Sequence, residues 1–228
     1  IGIFAAAMGF LETVIVVYLR EMYYESGFNF PLAGFVEPNI LAIEWARELA
    51  TIVMLVSVAI LAGKKFYERC AYFIFAFAIW DIFYYVFLKV LLDWPASLLT
   101  WDVLFLIPWP WVGPVLAPLL CTMLMLVATY LILDLDGRGK KINANFDEAI
   151  FLLLGIAIVL WTWMYDYGAI IIGGGFFSDF FKLASNPDLM ALTTSFVPVN
   201  YNWSLFFVGY FSASIAIVKF YFRNLNKN

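Results

Sequence analysis

The sequence predicts an all-α fold, a polytopic membrane bundle of six transmembrane helices with an interfacial or re-entrant Pro/Trp-rich segment between helices three and four. Three observations carry that expectation. Of 228 residues, 65% are hydrophobic and only 13% are charged, whereas a soluble domain carries about a quarter of its residues as charges. The apolar residues fall in blocks of the length, roughly 20, that a helix needs to cross a bilayer. Basic residues gather at alternate boundaries between those blocks, as the positive-inside rule requires of cytoplasmic connections.

The spans are expected at about 1–20, 39–63, 70–90, 114–134, 149–171 and 203–222, within one domain covering 1–228. The first is too long for a signal-peptide core and reads as a helix, with Glu12 the one acid in its middle. In the second, Glu44, Arg47, Glu48 and Thr51 recur at i, i+3, i+4 and i+7 and so share one face. Asp81, Tyr84, Tyr85 and Lys89 form a similar stripe on the third. The fourth is apolar up to Asp134, Asp136 and Gly137, which resemble the start of a calcium loop; Arg138, standing where an oxygen ligand is needed, argues for a plain helix end. The fifth carries Trp161, Trp163, Tyr165, Asp166 and Tyr167, and Gly173, Gly174 and Gly175 end it.

The connections opposite the basic ones are unusually aromatic. Residues 25–38 hold Phe28, Phe30 and Phe35, and 173–202 open with GGGFFSDFF. Residues 91–113 contain Trp94, Trp101, Trp109 and Trp111, expected as anchors at the headgroup level. Pro95, Pro108, Pro110, Pro114 and Pro118 rule out one continuous helix there. The Trp-Asp pairs at 80 and 101 are expected in no strand. Asn202-Trp203-Ser204 matches a glycosylation sequon but abuts a span.

Lys64, Lys65, Arg69, Arg138, Lys140, Lys141, Lys219, Arg223 and Lys227 lie on one side. Arg20, Arg47, Lys89 and Lys182 lie on the other or in the span halves nearest it. That asymmetry puts both termini in the cytoplasm of a bacterial-type inner membrane.

A charge inside a span costs a few kcal/mol and calls for a partner, water or a purpose. Glu12, Glu44, Glu48, Asp81 and Asp166, facing only Arg47 and Lys89, imply an acid-rich cavity among spans one, two, three and five, capped by the segment bearing Trp101 and Asp102. With Tyr85, these are the candidate cavity or ion-pathway residues. Acids left unpaired in low dielectric take up protons, draw in water or bind a cation. Equally, Arg47 between Glu44 and Glu48 could be a purely structural network.

The chain has no histidine, so haem, copper and catalytic zinc lack their commonest ligand, and no cofactor is expected. Cys70 and Cys121 read as packing residues, and the net charge of −4 argues against nucleic acid. The expected partners are the lipid bilayer and other membrane subunits, with a bound lipid or a hard cation as further ligands. No nucleophile elbow, zinc motif or phosphate loop marks an enzyme, and no internal repeat links the two halves. The leading expectation is an accessory or structural subunit of a larger membrane complex. The alternative is a transporter or channel for protons, a hard cation or a small cationic solute, and a weaker one is a lipid-binding or lipid-processing protein.

Overall fold

The computed structural model describes residues 1–24, 27–32, 38–177 and 186–227; Phe35 and Lys182 lie outside that set. In chain order the elements are α1 (Gly2–Tyr23), α2 (Pro38–Ala62), α3 (Phe66–Leu92), β1 (Trp101–Phe105), β2 (Trp111–Pro114), α4 (Leu116–Gly137), α5 (Phe146–Gly173), α6 (Pro187–Ser195) and α7 (Trp203–Leu225). All but α6 among the helices are long and apolar enough to cross a bilayer, giving six spans consistent with a multi-pass membrane protein. Their outer surfaces agree. Ile3, Leu61, Val90, Met123, Leu153 and Ile215, one from each, are more than half exposed, an apolar girdle consistent with a surface that faces lipid.

Local chemistry sets the helix ends. Glu68 accepts from the backbone N–H of Lys64 and Lys65 at the start of α3, and Glu148 accepts from Asn145 N–H at the start of α5. Asn186 and Asn202 cap α6 and α7 with their side-chain oxygens, satisfying N–H groups that have no partner within the helix.

The helix α3 packs against α1, α2 and α4, while α7 packs against α4 and α5. Two crossings depend on glycine. A Cβ on Gly9 would stand 2.8 Å from the Trp80 carbonyl oxygen, and one on Gly155 would stand 2.7 Å from that of Gly209. Helix backbones in lipid approach this closely through small residues, because dispersion and not water exclusion holds them together.

The proline-rich segment differs from the sequence expectation in one respect. Trp101 and Asp102 do open a strand: β1 and β2 form an antiparallel hairpin pairing Trp101 with Pro114, Asp102 with Gly113 and Val103 with Val112, with a break in register before Phe105 pairs with Trp111. Apart from Asp102, both strands are apolar on both faces, so no alternation marks them in the sequence. Pairing satisfies their backbone groups against each other, which a buried non-helical segment requires. Pro108 and Pro110 fall in the turn, and Pro114 closes β2, positions where a missing N–H removes little.

Candidate functional site

Between the hairpin and helices α1 to α5 lies a cavity of about 410 Å3. Each helix contributes a stripe at helical spacing. On α1 it runs Glu12, Val16, Leu19, Arg20 and Tyr23, and on α3 it runs Phe77, Trp80, Asp81, Tyr84 and Tyr85. The fourth span also takes part, through Pro118, Cys121, Thr122 and Met125, where the sequence pointed only to spans one, two, three and five.

Arg47 organises the α2 side. It donates from Nε to Glu44 Oε2 at 2.8 Å and from Nη1 to Glu12 Oε1 at 3.0 Å, tying α2 to α1, and its Nη2 lies 3.9 Å from Glu48 Oε1. Glu48 is 3% exposed and accepts from the backbone N–H of Leu106 through both oxygens, at 2.9 and 3.0 Å. One turn away, the Trp45 indole donates to the Leu106 carbonyl at 3.0 Å. Residues 45 and 48 therefore grip both polar backbone groups of the residue that leaves β1, fixing the hairpin to α2.

A second cluster sits toward the C-terminal end of α1. The Arg20 guanidinium lies 4.0 Å from the ring centroid of Trp94 and 4.6 Å from that of Phe28, with Asp102 Oδ1 3.8 Å away. Tyr85 donates to Asp102 Oδ2 at 3.1 Å. Burial pushes the Asp102 carboxyl up to about 6, outweighing the opposing pull of Arg20 and of the Tyr85 hydroxyl.

Asp81 stands apart. It lines the cavity between the two clusters, within electrostatic reach of Glu12 and Asp102. Its Oδ2 is buried without a hydrogen-bond partner, and no cation pairs with it among the described residues.

Two sequence expectations need correcting. Lys89 does not line the cavity; from the last turn of α3 it reaches Asp93 at 2.7 Å and the carbonyl oxygens of Asp93 and Pro95 at 3.2 Å each, holding the chain as it leaves the helix. Asp166 does not line it either. Trp109 donates to the Met164 carbonyl at 3.0 Å and lies against Gly168, so the hairpin turn packs on that face of α5, whereas Asp166 lies on another. Asp102 and Arg20 occupy the roles foreseen for Asp166 and Lys89. The balance is unchanged: Glu12, Glu44, Glu48, Asp81 and Asp102 face Arg20 and Arg47. The signal for Arg20 was its spacing, eight residues and so roughly two turns from Glu12.

Of the tryptophans expected as anchors, Trp94 lies under Arg20, Trp101 meets Tyr201 edge to face, and Trp111 stacks on Trp163. With Trp109 on α5, all four make contacts within the chain. Among the described residues no group of three or more His, Cys, Asp or Glu side chains is placed to hold a metal ion. No family model matches the chain, and neither the curated proteins nor the solved structures give a match.

Proposed function

We propose that the protein is a multi-pass transporter that admits a small cationic solute to this cavity, with Asp81 as its counter-charge. The observation that carries the reading is the carboxylate of Asp81, left without hydrogen bond or cation beside a cavity whose other four acids are all engaged. Burying an unpaired carboxylate is among the costliest arrangements a protein can hold, and a ligand that pairs with it offsets that cost. A hard cation fits less well, since it needs six or more oxygens converging on one point. A proton needs no space of about 410 Å3.

The accessory-subunit reading drew on the missing cofactor ligands, the small size and the aromatic outer connections. The four tryptophans of the proline-rich connection make contacts within the chain, which weakens the last of these. The orientation follows from the basic residues: the hairpin and the cavity face away from the cytoplasm and both termini lie within it.

The test is uptake of radiolabelled tetraethylammonium into proteoliposomes with a potential negative inside. The expected result is accumulation above protein-free vesicles, at least tenfold lower in Asp81→Asn, with the variant eluting as wild type does. Uptake no greater than in empty vesicles sinks the transport reading, and wild-type uptake by Asp81→Asn sinks the role of Asp81.

A further inference from the structure

Resting on that cation-site reading, we infer that the ligand is a monovalent organic ammonium with an apolar body about the size of a phenyl ring. Three features beside Asp81 define it.

The first is charge. Glu12 and Glu44 each bond Arg47, Glu48 holds Leu106, and Asp102 faces Arg20 and Tyr85. Asp81 alone among the five has neither a guanidinium nor a hydrogen-bond donor beside it, so it is the one carboxylate open to the positive charge of a ligand. The second is the wall. Apart from those acids and arginines and Thr122 the lining is apolar or aromatic, with Phe77 and Trp80 from α3, Phe105 and Trp111 from the hairpin, and Trp163 from α5. A metal ion gains little from such a surface, whereas an alkylammonium gains apolar burial and the attraction of a cation to an aromatic face. The third is a precedent inside the molecule. Arg20 is itself an organic cation held against two aromatic rings with a carboxylate beside them, the combination of groups that Asp81 and the aromatic lining also offer. Room is sufficient, because a cavity of about 410 Å3 falls in the range, roughly 300–1,000 Å3, of sites for small organic ligands.

Calorimetric titration of the full chain in lipid nanodiscs tests this with three probes: phenethylammonium, methylammonium and the uncharged 3-phenylpropanol. Phenethylammonium is expected to bind at least roughly tenfold more tightly than either of the others. Asp81→Asn is expected to abolish that preference over the alcohol, and Asp81→Glu to keep part of it. Equal affinity for methylammonium and phenethylammonium overturns the apolar body while leaving a cation site in place. Equal affinity for the alcohol overturns the charge requirement, and no binding by either ammonium ion overturns the cation site as well. Because the three probes are compared on the wild-type protein, the result stands even if a variant fails to fold. Binding of phenethylammonium without tetraethylammonium uptake would overturn transport alone.

Discussion

The two ends of the bundle use the same kinds of residue to opposite effect. Where α2 meets α3, α4 meets α5 and α7 ends, every acid has a basic partner and the cations are in excess. Lys65 donates to Asp136 at 2.5 Å, Arg138 and Tyr221 both donate to Asp134, Lys219 pairs with Asp147, and Arg223 grips both oxygens of Glu148 at 2.6 and 2.7 Å. Asn143 and Asn224 bond each other's chain segments there, so the α4–α5 turn is locked to the end of α7. At the hairpin end five carboxylates share two guanidiniums, and one carboxylate has neither. A surface that only had to hold helices together would be built like the first end. On the transport reading, the surplus at the second is what a cationic ligand would complete.

That contrast is broken most severely at Arg47. Replacing it with methionine keeps most of the volume but leaves Glu12, Glu44 and Glu48 without their cation. Removing one partner from a buried ionic network costs about 3–5 kcal/mol, and here three acids share the partner. Unfolding in a denaturing detergent series should register the loss, with Arg47→Lys recovering part of it. A loss under about 1 kcal/mol would mean that the network is wetter than its geometry implies.

Next in size is a pH effect at Asp102. Its carboxyl, raised to about 6 by burial, holds a proton more tightly in the folded protein than in the unfolded chain. Its contribution to stability is therefore complete at pH below about 4, declines as pH rises toward 6, and is flat above, spanning at most about 3 kcal/mol by linkage. Comparing Asp102→Asn with wild type isolates this limb from the other acids, and the two stability profiles should converge in slope above pH 7. Parallel profiles between pH 4 and 6 would show that Arg20 outweighs burial.

At the paired end the strongest single residue is Glu148, 3% exposed, which accepts twice from Arg223 and once from Asn145 N–H. Glu148→Gln keeps the shape and the cap but removes the charge, for an expected cost of about 1–3 kcal/mol. Tetraethylammonium uptake should be unchanged at equal protein, and a variant that folds yet loses uptake would tie this end to the transport route.

Much of this organisation is legible in the residues. Apolar length locates the six helices, and the i, i+3, i+4 stripes on α2 and α3 pick out Glu44, Arg47, Glu48, Asp81 and Tyr85. What depth alone could not supply was which element lies over which. Asp166 has a plausible depth, but it lies on a face of α5 that does not line the cavity. Lys89 is near the right height, but it is one turn too close to its helix end and folds back on Asp93 and Pro95. Arg20 counted only as a cation on the outer side, because its partners Trp94 and Asp102 lie more than seventy positions away. The hairpin itself was hidden because strands apolar on both faces but for Asp102 show no period of two, and because the grip of Trp45 and Glu48 on Leu106 joins residues some sixty positions apart.

The smallest expected effect is at Lys219. Its pair with Asp147 joins α7 to α5, but both side chains are about half exposed, at 49% and 48%. Water and salt screen such a pair, and ordering a long lysine chain cancels much of its attraction. Lys219→Ala should leave the unfolding midpoint where it was, and raising salt should not separate the two proteins. The same salt series should weaken phenethylammonium binding only slightly, because the charge it meets, Asp81, lies among α1, α3 and the hairpin away from bulk ions. A strong salt dependence of binding would place the ligand at a solvated surface instead, and would erase the difference between the two ends on which the site was assigned.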